Sequence, residues 1–131
     1  MHPKPDAQKT RRQAAEARGQ KSEWLAAWLL RLKGYRILAR RFRCPAGEID
    51  LVARRGHIIA FVEVKARADM TASLAALTPR QRERIARAAA LFLSRMPEGG
   101  NSLTSRFDLI ALAPGRLPRH LADAWRVGVS S

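Results

Sequence analysis

Residues 34–67 read GYRILARRFRCPAGEIDLVARRGHIIAFVEVKAR. The stretch contains three runs that are rich in β-branched and other apolar residues, as is typical of strands. The runs are YRILARRF at 35–42, GEIDLVA at 47–53 and IIAFVEVK at 58–65. The short link Arg54–Gly56 predicts a hairpin between the second and third runs. Residues 34–67 therefore predict three neighbouring strands of one sheet.

Helical patterns lie on both sides of these strands. Before them, apolar residues at helical spacing predict a helix over residues 22–33, which Ser22 would cap. After them, Thr78 and Gln81 predict a capping box for a second helix, and residues 105–113 predict a fourth strand. This order predicts an α/β fold with a central mixed β-sheet flanked by helices. A right-handed crossover should make the third and fourth strands parallel.

The faces of the first helix can be read from its periodicity. Leu25, Trp28, Leu29 and Leu32 fall on one side, whereas Ala27 and Leu30 lie on the other side, near Glu23, so we expect the helix to be buried on most sides. Trp24 and Trp28 are therefore interpreted as core residues in preference to base-stacking platforms.

The remaining segments carry weaker patterns. Residues 1–21 are polar and basic, and they predict a flexible N-terminal arm in front of a single folded domain at 22–131. Residues 66–77 are interpreted as a loop. Residues 120–129 are expected to form a short helical or extended segment.

The charge of the chain favours a polyanionic partner. Lys and Arg total 25 against 11 Asp and Glu, which gives a net charge of +14. A positive field of this size attracts nucleic acid, most readily DNA, although an arginine-rich genome would give the same bias. On the second helix, Arg80, Arg84 and Arg87 form a cationic outer face, which predicts a nucleic-acid-binding surface.

Other compositional features exclude some classes of protein. One cysteine, Cys44, allows no intramolecular disulfide and no cysteine zinc cluster. The longest apolar run, Trp24 to Leu30, is too short for a membrane span. No secretory signal pattern is present near the start. The expectation is a cytoplasmic protein with no membrane partner.

Acidic residues occupy positions inside the two most apolar strand candidates. Because side chains alternate along a strand, Glu48 and Asp50 share one face, and Glu63 and Lys65 share one face of the next strand. Hairpin pairing of the two strands would bring Asp50 beside Glu63. Carboxylates among apolar neighbours are costly unless a cation compensates their desolvation.

A divalent cation would supply that compensation. Carboxylate oxygens of Asp50 and Glu63, with the backbone carbonyl of Val64, are hard ligands that suit Mg²⁺ or Mn²⁺. Such an ion can activate water for phosphodiester hydrolysis, with Lys65 orienting the water or stabilising the transition state. The alternative is a half-exposed ion pair of Glu63 with Lys65 and an arginine partner for Asp50.

The spacing of these residues resembles a known nuclease pattern. D-(x)12-E-x-K from Asp50 to Lys65 resembles the PD-(D/E)xK superfamily, although Ile49 replaces the proline. Residues 34–67 resemble more closely the YraN-type family of predicted endonucleases, which is related to archaeal Holliday junction resolvases. The resemblance runs from about Gln13 to Asp123 and includes RFDLIAL at 106–112.

The resemblance implies a restriction-endonuclease-like core and a catalytic set. Asp50 takes the first acidic position, Glu63 the second, and Lys65 the lysine position. Glu23 matches the helix glutamate that often completes such a site.

Other residues are weaker candidates for a functional role. Glu48 could contact a second metal or pair with an arginine, and Gln81 could contact a phosphate or only cap its helix. Asp108 is interpreted as structural, and Cys44 and the histidines as incidental.

The resulting expectation is a Mg²⁺- or Mn²⁺-dependent endonuclease acting on DNA, with branched junctions as candidate substrates. The first alternative is a non-catalytic nucleic-acid-binding module with a nuclease-like fold. The second is a ribosome-associated structural protein, which would explain the basic arm but not the acids on the strands. Symmetric cutting of two strands would favour a homodimer.

Overall fold

The computed structural model describes the backbone of residues 5–126 and the side chains of residues 19–97 and 100–126. Its elements follow one another along the chain with short connections. They are α1 (Pro5–Leu32), β1 (Arg36–Cys44), β2 (Gly47–Arg55), β3 (Ile58–Ala66), α2 (Met70–Ala75), α3 (Pro79–Ser94), a 3₁₀ turn (Pro97–Gly100), β4 (Thr104–Leu112) and β5 (Arg119–Trp125).

The five strands form one mixed sheet in the order β1-β2-β3-β4-β5. β1, β2 and β3 are antiparallel neighbours. β4 lies parallel to β3 over its whole length, from Ile58 opposite Thr104 to Ala66 opposite Leu112. The predicted central mixed sheet and the parallel pair joined through a helix are confirmed.

The β2–β3 hairpin forms where the sequence predicts it. Gly56 in its turn has φ of 61°, in the left-handed region that glycine adopts without steric cost. Arg55 pairs with Ile58 directly beside the turn. The hairpin fixes the register between the two strands that carry the acidic residues.

Helix α3 covers one face of the sheet. Its capping box is present, with the Gln81 amide N–H donating to Thr78 Oγ1 at 3.2 Å and the Thr78 N–H donating to Gln81 Oε1 at 3.1 Å. Ile85, Ala88 and Ala89, at helical spacing, are buried against the sheet.

Helix α1 covers the opposite face, but two predictions about it are wrong. The helix begins at Pro5 and passes through Ser22, which therefore does not cap it. The side buried against the sheet carries Ala26, Ala27 and Leu30, while Trp24 and Trp28 are exposed. The two small alanines let the helix backbone approach the sheet closely, and the bulky indoles could not occupy that space.

In two further segments the structure differs from the sequence prediction or decides between its alternatives. Residues 66–77, interpreted as a loop, contain α2, whose N-cap Asp69 accepts a hydrogen bond from the Ala72 N–H at 2.8 Å. The C-terminal segment is extended, and Arg119–Trp125 adds β5 to the sheet. Among the described helices, none combines the length and the apolar character needed to cross a bilayer.

Candidate functional site

Strand β2 separates from β3 where the acidic residues begin. The last paired residues are Leu51 and Val62, so Asp50 and Glu63 lie just beyond the ladder. The Val64 N–H, left without a backbone acceptor on β2, donates instead to Asp50 Oδ2 at 2.8 Å. The side chain of Asp50 therefore accepts the hydrogen bond that a backbone carbonyl of β2 would otherwise accept at the end of the ladder. The carbonyl of Val64 as a metal ligand stays a prediction.

Asp50 and Glu63 are neighbouring, largely buried carboxyl groups. Burial, together with the negative charge of Glu63, raises the pKa of Asp50 to about 8. Burial also raises the pKa of Glu63. Two carboxylates held this close repel, so the pair binds a proton more tightly than isolated acids do.

Lys65 is the cation placed next to this pair. Its Nζ lies 3.1 Å from Glu63 Oε1, and its side chain is only 9% exposed. The alternation of side chains along β3 puts both groups on the same side of the strand, as the sequence predicts. The ammonium group is held at the acidic pair by a salt bridge that water screens only weakly.

Glu23 reaches the site from α1. It shares the buried side of the helix because Ala26, Ala27 and Leu30 follow at three, four and seven residues, which is the spacing of one helical face. Carboxylate oxygens of Glu23, Glu48 and Asp50 lie within 4.8 Å of one another. The structure thus brings Glu23 to the acids of β2.

Arg41 is the member of this cluster whose place the sequence did not indicate. Arg41 Nε donates to Glu23 Oε2 at 2.7 Å, from a backbone with φ of 50°. The register shift in the β1–β2 ladder lies earlier in the strand, between Ile37 and Ala39. Glu48 pairs with Arg43 at 3.4 Å, as one of its readings predicted, and also faces Glu23 and Asp50.

An open cleft of about 280 Å³ gives access to the acids from the α3 side. Its walls are formed by β2, β3 and the first turns of α3. The lining residues are Glu48, Asp50, Glu63, Gln81, Arg84 and Ile85. Gln81 is therefore both a capping residue and a wall of the cleft.

Of the three arginines predicted to bind nucleic acid, one borders the cleft. Arg84 Nε lies 3.5 Å from the carbonyl of Ala46, in the turn between β1 and β2. That turn approaches closely, because a Cβ at Gly47 would lie 3.2 Å from the Cβ of Arg84. Arg80 and Arg87 are exposed on the same helix, and Arg87 lies 4.0 Å from Glu83.

The donor set at this site fits a hard divalent cation. It consists of carboxylate oxygens, three of which lie within 4.8 Å of one another. Asp50 and Glu63 carry raised pKa values, chiefly through burial. A cation would replace the shared proton and relieve the repulsion. Asp50 belongs both to the pair with Glu63 and to the group with Glu23 and Glu48, so it would be the central ligand of such an ion.

A second buried carboxylate, Asp108, belongs to a different network. It accepts hydrogen bonds from Arg106 at 2.8 Å, from His120 Nε2 at 2.8 Å and from the Asp123 N–H at 3.0 Å. Arg106 also donates to the hydroxyl of Tyr35. The structural interpretation of Asp108 agrees with this geometry, whereas the description of His120 as incidental is wrong.

Similarity to known proteins covers most of the chain. Residues 22–112 match the family described as "Uncharacterised protein family UPF0102". A UPF0102 protein of Paramagnetospirillum magneticum is 56% identical over 119 residues, covering 88% of this chain and 92% of the relative. One of Parvibaculum lavamentivorans is 57% identical over 113 residues, covering 86% and 84%. The length of the match and these identities show that the chain belongs to the UPF0102 family.

Proposed function

We propose that the protein is a metal-dependent endonuclease with a restriction-endonuclease-like core, which hydrolyses phosphodiester bonds in DNA. The observation that carries this proposal is the meeting of Asp50, Glu63 and Lys65 beside an open cleft, with Glu23 completing the acids. Buried acids are costly in a chain of net charge +14 whose basic surface attracts phosphate. A module that only binds nucleic acid gains nothing from them.

The acids would hold Mg²⁺ or Mn²⁺. Asp50 neighbours Glu63 and also belongs to the group with Glu23 and Glu48, so it would contribute to an ion held by either set of acids. When bound, a divalent ion supplies activation of water and neutralisation of charge on phosphate oxygens. The Val64 N–H fixes one oxygen of Asp50, and Asp50 lines the cleft.

Two cationic residues have distinct roles under this proposal. Lys65, held at Glu63, is placed to orient the attacking water or to stabilise charge that develops on the phosphate. Arg84, at the rim of the cleft, is placed to bind a phosphate of the DNA backbone. Arg41 keeps the carboxylate of Glu23 directed into the cluster.

A cleavage assay tests the proposed function. Labelled four-way junctions and linear duplexes are incubated with the purified protein in Mg²⁺, in Mn²⁺ or in EDTA. Cleavage that needs the divalent ion and is lost in EDTA is expected. Binding of both DNAs with no cleavage in either metal would contradict the nuclease and favour a binding module.

Lys65→Ala should separate metal binding from catalysis. Cleavage should fall about a hundredfold or more, which is the contribution of one positioned acid–base or electrostatic group. Mn²⁺ affinity should be kept, because the ammonium is not a ligand, and calorimetry on the same preparation measures it. If Lys65→Ala cleaves as fast as the wild type, the lysine has no part in the chemistry.

Arg84→Gln should weaken DNA binding and make it less dependent on salt. Each phosphate contact contributes about 0.9 to the slope of log K against log [salt], so the slope should fall by about one unit. Fluorescence anisotropy over a range of KCl concentrations measures both quantities.

A matched control for Arg84 is Arg36→Gln. Arg36 is an exposed arginine at the start of β1, opposite Arg54 at the hairpin end of the sheet. Its substitution removes the same charge away from the cleft and should change the slope less. Equal effects of the two substitutions would mean that DNA does not bind preferentially at the cleft.

A further inference from the structure

Helix α1 exposes two tryptophans on the side that faces away from the sheet. Trp24 is 51% and Trp28 is 47% exposed. Their ring centroids are 6.0 Å apart and their planes are inclined by 72°. The guanidinium of Arg31 lies 5.5 Å from the centroid of the Trp28 ring. We call Trp24, Trp28 and Arg31 the aromatic patch.

The aromatic patch is not explained by packing within the described part of the chain. Ala26, Ala27 and Leu30 already attach this helix to the sheet. The third tryptophan, Trp125, is buried at 6% exposure and stacks on Phe107. Exposed indoles next to one another leave apolar surface in water, which costs free energy and is typical of binding surfaces.

The aromatic patch lies on the helix that brings Glu23 to the acidic cluster. Trp24 directly follows Glu23, whose carboxylate lies within 4.8 Å of those of Glu48 and Asp50. A nucleic acid that contacts both would extend from the acidic cluster around α1 to the indoles. Arg84 borders the same cluster from α3, on the other side of the sheet.

The chemistry of the aromatic patch fits nucleobases. Indole faces stack on bases of any sequence, and an adjacent arginine adds attraction to the bases and phosphates. Bases inside a duplex are already stacked on their neighbours, so only unpaired bases are free to use such a platform. A second copy of this chain would bring another molecule of charge +14 to the same face, which electrostatic repulsion opposes.

We propose that Trp24 and Trp28 stack unpaired bases, so that the substrate class is DNA with a single-stranded segment that reaches from the acidic cluster to α1. A free end, a gap or the open centre of a branched junction provides such bases. This inference rests on the proposed function for the position of the cut, but the stacking itself requires no cleavage.

The test measures binding in EDTA, where no metal-dependent cleavage occurs. Single-stranded oligo(dT) and a blunt duplex of the same length are titrated into the full chain, and tryptophan fluorescence and anisotropy are followed. Oligo(dT) should quench the exposed indoles and leave the emission of the buried Trp125. Trp24→Ala and Trp28→Ala should each weaken oligo(dT) binding about 5- to 150-fold, the range for loss of one base stack. Duplex affinity should be unchanged.

Control variants separate stacking from simple loss of apolar surface. Trp28→Phe keeps an aromatic face and should keep most of the affinity for oligo(dT). Leu32→Ala removes an apolar side chain that is 81% exposed on the same helix, and should leave binding unchanged. Circular dichroism melting of each variant checks that the fold is retained.

Two results would overturn the inference. One is equal binding of oligo(dT) by the wild type and both alanine variants. The other is a wild-type dimer in sedimentation that Trp28→Ala dissociates, which would make the patch an interface between copies. If the wild type cleaves DNA but the alanine variants bind oligo(dT) normally, the inference fails and the nuclease stands. If tryptophan-dependent binding occurs without any cleavage, the nuclease fails and the stacking stands.

Discussion

Asp50→Asn should abolish metal-dependent cleavage, with a loss of at least about a hundredfold. Substitution of a residue that only supports a metal ligand already costs about 10- to 100-fold, so loss of the central carboxylate should cost more. The amide oxygen of asparagine can still accept the hydrogen bond from the Val64 N–H. The variant should therefore fold normally and differ from the wild type mainly in charge.

The same substitution should raise the stability of the metal-free protein at alkaline pH. The pKa of Asp50 is raised to about 8 from its ordinary value of 3.8, mainly by burial. The folded state therefore binds this proton more tightly than the unfolded state does. Its contribution to stability is fully present below about pH 4 and is lost as the pH rises through 8. The asparagine amide carries no charge at any pH, so the variant escapes that loss.

Thermal unfolding in EDTA at pH 5, 7 and 9 measures this difference. The melting temperature of Asp50→Asn relative to the wild type should increase from pH 5 to pH 9. Saturating Mn²⁺ should raise the melting temperature of the wild type and have little effect on the variant. Glu83→Gln, on the exposed side of α3, is the matched control and should change neither cleavage nor the pH trend. A pH-independent difference would contradict the raised pKa of Asp50.

Asp108→Ala should destabilise the protein by about 3–5 kcal/mol, the usual cost of removing one partner from a buried ion pair. Asp108 is fully buried, and its loss leaves Arg106 and His120 without their shared acceptor. A small domain has a total stability of about 5–15 kcal/mol, so the fraction lost is large. Urea denaturation of the variant and wild type measures the change.

The contribution of Asp108 to stability changes with pH in the opposite direction to that of Asp50. Burial alone would raise the pKa of Asp108, but hydrogen bonds from His120, Arg106 and the Asp123 N–H lower it to about 2. The contribution to stability is therefore present above about pH 4 and is lost as the pH falls through 2. Glu83→Ala removes an exposed ion pair and should cost under about 1 kcal/mol. A similarly small cost for Asp108→Ala would show that the network is not important for folding.

The parts of the fold that local patterns specify could be predicted from the sequence. Alternating and continuous apolar runs identified β2 and β3, and the glycine-containing link identified their hairpin. The capping box at Thr78 fixed the start of α3. In each case neighbouring residues carry the information, so tertiary structure was not needed.

The orientation of α1 could not be predicted in the same way. Hydrophobicity favours burial of the side that carries Leu25, Trp28, Leu29 and Leu32, but of these only Leu29 packs against the core. The observed orientation follows from space at the sheet, where alanines fit and indoles do not. The orientation of α1 is decided by close packing between two segments that are distant in the sequence, and the periodicity of the helix does not encode that packing.

The candidate site likewise contains residues that local rules predict and one residue that they do not. Asp50, Glu63 and Lys65 follow from strand alternation and hairpin pairing, which are local rules. Arg41 joins them from a backbone with φ of 50°, where its side chain donates to Glu23. Such an irregularity in a run of arginines has no signature in the sequence.

Calorimetric titration of Mn²⁺ at pH 7 tests the metal site most directly. Because the pKa of Asp50 is raised to about 8, the wild type should bind Mn²⁺ and release a proton. The heat should therefore depend on the ionisation enthalpy of the buffer. Asp50→Asn should bind far more weakly and release no proton, and junction cleavage should follow Mn²⁺ occupancy in the wild type alone. A wild type that binds no Mn²⁺, or an Asp50→Asn variant that binds and cleaves equally well, would contradict the metal-dependent nuclease.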